Sequence, residues 1–110
     1  MTTFAQKVIE SRIDFQYKAI ENLSKQITSN SRLNFSLHRQ AHEEMSSAYD
    51  RIGILEAVGA KFNFDGPKDI LLENLKNFLV SEICWNSGSA NMVKYVELAR
   101  MIQEIEMNDE

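Results

Sequence analysis

His38 and His42 stand four residues apart, with Glu43 directly after the second. On a helix that spacing puts two imidazoles on one face, where they can share a metal ion. Metalloprotease chemistry asks for a glutamate directly after the first histidine, to act as base, and Arg39 holds that place. A di-iron bundle needs Glu-x-x-His units on two helices, whereas this chain has two histidines in all. A metal-binding helical bundle using His38 and His42 is therefore an alternative only. The plainer account is two histidines flanking an apolar stripe beside Met45, with no metal and no cofactor.

The second candidate is a set of cations. Lys18 and Lys25 are seven residues apart, as are Arg32 and Arg39, on either side of the polar run Thr28-Ser29-Asn30-Ser31. Seven residues is close to two helical turns, so each pair repeats on one face. Asn22, Ser29, Asn30 and Asn34 add hydrogen-bonding groups nearby. This is the best candidate for partner binding, suited to an acidic protein surface or a phosphate. Asp14 precedes Lys18 by four residues and Glu21 precedes Lys25 by four. Such i,i+4 pairs quieten the patch. Base stacking needs aromatic side chains among the cations, and Phe35 is the one nearby.

The carboxylates offer no readable acid–base pair. Glu43 and Glu44 abut, and neighbours on a helix point about 100° apart. Asp69 with Glu73, and Glu10 with Asp14, share faces but read as solvated. Cys84 is the only cysteine, so an intrachain disulfide and a cysteine-based zinc site are excluded. It lies in the apolar run 78–85, and a buried thiol acting as a small hydrophobe is expected there. No catalytic motif stands out, so the protein reads as non-enzymatic.

Net charge is −4, unevenly placed: residues 1–42 carry six Lys/Arg and three Asp/Glu, and residues 43–110 carry six and thirteen. That makes +3 in the first part and −7 in the second. Domains built for duplex DNA are usually basic, so nucleic acid is an unlikely partner. Nucleic-acid or nucleotide binding through the basic hairpin tip remains an alternative. The amino terminus does not read as a secretory signal. No apolar run approaches the ~20 residues of a membrane span. A cytoplasmic protein with no membrane partner is expected.

These residues have to be positioned by helices. The 110 residues suit one domain, 1–110, with 44% apolar and 25% charged residues; both fractions are ordinary for a globular chain. Helix 1 is expected over about 3–27. Thr3 and Gln6 form a capping box at its start. Its stripe is Ile9, Ile13, Tyr17, Ile20, Leu23 and Ile27, with Phe4, Val8, Phe15 and Ala19 as a second strip. Helix 2, about 32–58, carries Leu37, Ala41, Met45, Ala48, Ile52 and Leu55 at helical spacing. Gly53 marks a close crossing or the start of fraying, and Gly59 is the expected stop. The short turn between these helices makes them antiparallel neighbours.

The linker 60–66 holds Phe62 and Phe64, expected to plug the end of the bundle. Pro67 opens helix 3, over 68–85. Ten of its sixteen positions from 70 onward are apolar, so it is expected to be central or pressed against a second subunit. The turn Asn86-Ser87-Gly88-Ser89 leads to helix 4, ending near Met107, with Met92, Val93, Val96, Ala99, Ile102 and Ile105 inside. The fold class is all-α: an up-and-down bundle of about four helices, with a long N-terminal antiparallel hairpin and a shorter C-terminal one.

The function expected from this architecture is non-enzymatic protein binding, as a small adaptor or inhibitor of a larger machine. Phage-type host-modulating proteins are one class of that size and composition. Self-association is expected through helices 1 and 3. The interaction surface is either the basic tip or the acidic C-terminal half around Asp69, Glu73, Glu97 and Glu104.

Overall fold

A computed structural model describes residues 3–29, 35–85 and 92–107. The chain forms a helical bundle: four helices take up 90% of those residues, and none of them lies in a strand. The helices are α1 (Phe4–Ser29), α2 (Phe35–Lys61), α3 (Lys68–Trp85) and α4 (Val93–Glu106).

Thr3 starts α1 in two ways. Its hydroxyl oxygen accepts from the Gln6 backbone N–H at 3.2 Å, which satisfies one orphan donor of the first turn. Its own O–H donates to the Phe64 carbonyl at 2.6 Å and ties the start of α1 to the linker. Gln6 does not complete a capping box, because its side-chain amide donates forward to Glu10 at 3.3 Å.

The hairpin register follows from two contacts. A Cβ on Gly59 would meet Ile9 Cδ1 at 3.3 Å, and Arg51 Nη1 donates to Gln16 Oε1 at 3.4 Å. Moving seven residues up α1 thus moves eight down α2, the signature of antiparallel helices. Helix α2 runs past both glycines to Lys61. Gly59 is therefore no stop; it lies inside the helix, where its missing side chain admits Ile9. Gly53 marks neither a crossing nor fraying, since nothing lies within 4 Å of where its Cβ would be. At the tip α1 runs further than expected. Thr28 and Ser29 are helical, and the candidate caps Asn30 and Ser31 lie outside the described residues, as do the turn 86–89 and the acidic end 108–110.

The main core joins Ala5, Val8 and Ile9 of α1, Ile54, Leu55 and Val58 of α2, Leu71, Leu72 and Leu75 of α3, and five residues of α4. Phe64 is buried in it, and Phe62 packs against Phe78 edge-to-face with centroids 5.7 Å apart. The two linker phenylalanines do close that end of the bundle. Lys61 Nζ lies 4.9 Å from the Phe78 ring centroid, a cation–π contact at the rim.

The central helix is α4, not α3. Helix α4 packs against all three others, while α3 rests mainly on α4. Of the apolar residues of α3, Ile70, Val80 and Trp85 are exposed, with Trp85 86% open to solvent, and Cys84 is exposed beside it. The buried-thiol expectation is thus overturned: Cys84 sits on the outer side of a peripheral helix. Helix α4 also turns a different face inward than its valines suggested. Tyr95, Leu98, Met101, Ile102 and Ile105 are buried, whereas Met92, Val96 and Ala99 are exposed.

The first hairpin outreaches the second. Its helices have 26 and 27 residues against 18 and 14, or about 40 Å against about 21–27 Å at 1.5 Å per residue. The radius of gyration is 16.1 Å, larger than the ~13 Å of a compact chain this long. Beyond α4 the hairpin has only a small core of its own: Ile20, Ala48 and Ile52, with Met45 against them. Among the described residues no helix is long and apolar enough to cross a membrane.

Candidate functional site

The cations of the hairpin tip are held apart by their own helices. Lys18 pairs with Asp14 at 3.0 Å, Lys25 with Glu21 at 3.3 Å and Arg39 with Glu43 at 3.3 Å, each one turn away. All six side chains are well exposed, so each pair contributes little and leaves a nearly neutral surface. The first two pairs follow from the sequence spacing; Arg39–Glu43 has the same spacing. Arg32 lies outside the described residues.

The histidines do not converge on a shared ligand set. His42 is exposed, while His38 is half-buried and lines a small pocket of about 90 Å³ with Leu23, Ile27, Leu37 and Ala41. Among the described residues no group of three or more His, Cys, Asp or Glu side chains is placed to hold a metal ion.

The acidic half divides. Asp69 and Glu73 border an open depression with Lys68, Lys76 and Glu106, and Lys76 is hydrogen-bonded to Glu106. Glu97 and Glu104 belong elsewhere. Arg12 reaches from α1 to both, Nη1 to Glu97 Oε2 at 2.8 Å and Nε to Glu104 Oε2 at 2.9 Å. Two carboxylates seven residues apart share a face of α4 at about 10.5 Å spacing, and a guanidinium between them can bind both through its rigid fork. Glu97 is buried, 5% exposed. Its charge is tolerable there because the partner is a directly bonded guanidinium. These two residues therefore bind α1 to α4, and the acidic surface expected around all four carboxylates does not exist as one patch.

The sequence reading missed what lies beside that ion pair. Gln16 is 5% exposed, whereas the flanking residues Phe15 and Tyr17, expected to pack inward, are 68% and 49% exposed. The stripe of α1 runs through Gln16 instead of Tyr17, and the 3,4 spacing from Ile13 to Gln16 to Ile20 fits either choice. Gln16, Arg51 and the Arg12 network line an open cavity of about 480 Å³ between α1, α2 and α4, with Phe15, Ala19 and Arg100 at its walls.

From this cavity a groove continues toward the tip. Ala19 and Arg51 also border a second opening of about 590 Å³ with Ala48, Ser47, Glu43 and Glu44. Leu23, Gln40 and Glu44 then pass it on to the pocket that His38 lines. Helix α4 packs on α1 and α2 lower down; above Arg51 the same two helices run on beside an open groove. Its floor is small or apolar (Ala19, Leu23, Ala41, Ala48) and its α2 rim carries Glu43 and Glu44.

Compared with models of known families, with curated protein sequences and with solved structures, the chain matches none.

Proposed function

We propose that the protein is a non-enzymatic binding module for another protein, an adaptor or inhibitor whose hairpin groove receives an amphipathic helix of the partner. The observation that carries this is the groove left open where α1 and α2 outrun α4. Lower down, α4 buries Leu98, Met101 and Ile105 in the core it shares with those two helices. A partner helix continuing that line would use the same packing, with apolar anchors at i, i+3, i+4 and i+7. Ala41 and Ala48, buried on α2, let an incoming helix approach closely. Glu44 on the rim, beside the Arg39–Glu43 pair, favours a partner helix with a basic flank, which would act mainly on encounter and register.

The test is a photo-crosslinking residue placed at Ser47, on the groove wall, and separately at Ser81, on exposed α3, in cells of the native source. The proposal expects a discrete heteromeric adduct from position 47, abolished by Leu23→Arg. An adduct from 81 alone, or one from 47 that survives Leu23→Arg, overturns it.

Association of two copies is a second reading, carried by a separate observation. Ile70, Val80 and Trp85 are exposed along α3, spread over an arc of about 140° of the helix, and they are the large apolar side chains a second copy would cover. A sedimentation series that stays at the monomer mass up to high micromolar concentration sinks this reading and leaves the groove untouched.

A further inference from the structure

We infer that the cavity between α1, α2 and α4 binds a single carboxylate group carried on an apolar body. This goes beyond the docking proposal and does not depend on it.

The donors are arranged before any ligand arrives. Arg51 donates one N–H to Gln16 Oε1 at 3.4 Å; a guanidinium has five N–H donors in a fixed fork. Among the described residues Arg51 and Arg100 form no ion pair, in contrast to Arg12, whose two carboxylates occupy it. Gln16 supplies the second observation. Its side chain is more than nine-tenths buried, and its oxygen is engaged by Arg51, which turns the amide NH2 away from that arginine. No fully buried side-chain nitrogen or oxygen lacks a partner among the described residues. The Gln16 NH2, with no acceptor of its own there, therefore opens onto the cavity that Gln16 lines. A buried amide donor facing a space flanked by two uncompensated guanidinium groups is a site for an anionic oxygen.

The charge balance selects the anion. Three arginines (Arg12, Arg51 and Arg100) line the cavity with two glutamates (Glu97 and Glu104), an excess of one positive charge within its walls; Glu43, paired with Arg39, and Glu44 border the adjoining opening. One carboxylate neutralises that excess. A phosphate dianion would add a second negative charge beside Glu104, where like charges repel. The body of the ligand is set by the remaining wall. Phe15 and Ala19 present carbon there, and Phe15, 68% exposed, contributes little to the fold by standing where it does. An aryl or branched aliphatic acid fits this wall better than a polar one.

Benzoate is the probe, with benzyl alcohol and inorganic phosphate beside it, each titrated into the uniformly 15N-labelled full chain. The expected result is saturable shifts of the Gln16 side-chain NH2 and the Arg51 Nε–H with benzoate, and at least about tenfold weaker binding of the other two. Arg51→Met should weaken benzoate by at least about tenfold, which corresponds to 1.4 kcal/mol. Because Arg51 also braces Gln16, Arg100→Ala at an exposed position is the second variant. It keeps the native spectrum and should weaken benzoate severalfold. Three results overturn the inference: no saturable shift with benzoate, phosphate binding as tightly as benzoate, or benzoate binding unchanged in Arg100→Ala and in Arg51→Met.

Discussion

Removing Arg12 while keeping Glu97 should be among the most damaging single changes in this protein. Glu97 is 5% exposed, and its carboxylate is bonded to Arg12 at 2.8 Å. Breaking a buried pair from one side costs about 3–5 kcal/mol, because the other charge stays buried without compensation. The Arg12 side chain is itself 24% exposed, so water can enter the vacated space, and the lower figure of ~3 kcal/mol applies to Arg12→Met. Glu97→Leu should cost only about 1 kcal/mol, since Arg12 keeps Glu104 at 2.9 Å and access to water. The double variant exchanges the whole pair for carbon and should cost about 1–2 kcal/mol, so the coupling is about 2 kcal/mol or more. Urea unfolding measures it: with m on the order of 1.5–2 kcal/mol/M, Arg12→Met lowers the midpoint by roughly 1.5–2 M. The same cycle on Arg39 and Glu43, 82% and 67% exposed, should give about 0.5 kcal/mol or less. A coupling for Arg12–Glu97 no larger than that of Arg39–Glu43 would refute the reasoning, because the burial of Glu97 would then carry no energetic weight.

Gly53→Ala should stabilise the protein by about 1 kcal/mol, since the position is exposed within α2 and open around a new Cβ. Gly59→Ala should gain less or lose, because buried Ile9 stands 3.3 Å from the added carbon; thermal melts of the two variants decide it. Cys84 should react with a thiol reagent in the native protein at the rate of a free peptide thiol, and labelling limited by unfolding would return it to the core. Met45→Asp should cost more than about 2 kcal/mol, since Met45 packs on Ile20, Ala48 and Ile52, whereas exposed His42→Ala should stay within about 0.5 kcal/mol; denaturant midpoints of the two variants compare them.

What the sequence disclosed was governed by period. Apolar spacing placed α3 at its observed bounds, 68–85, and the other helices within a few residues. The start of α1 was legible from Thr3, whose cap depends on a local side-chain oxygen. Facing was harder. In α4 the expected Ile102 and Ile105 do face inward, but the valines and alanine at 93, 96 and 99 competed with Tyr95, Leu98 and Met101 for the rest of the inner face. The second set won because an aromatic ring and long aliphatic chains fill the central position between three neighbours. Position within the bundle was hardest. An apolar count made α3 look central, yet an apolar helix can rest on one neighbour and leave its other residues in water.

The same limit explains why the polar junction escaped the sequence reading. Arg12, Gln16, Arg51 and Glu97 are ordinary surface residue types. Nothing local marks them: Arg12 and Glu97 are 85 residues apart, and Gln16 and Arg51 are 35 apart. They become a site only when α4 crosses α1 opposite α2. One signal was available. The stripe of α1 has a gap between Ile13 and Ile20 that a helix must bridge at residue 16 or 17, and residue 16 is a glutamine. A polar residue forced to an inner position needs a partner there. Arg51 lies eight residues below Gly59 just as Gln16 lies seven above Ile9, so an antiparallel register brings the two together. The antiparallel pairing of the first two helices, legible from the sequence, thus predicts its own buried polar contact once the pairing of Ile9 with Gly59 is known.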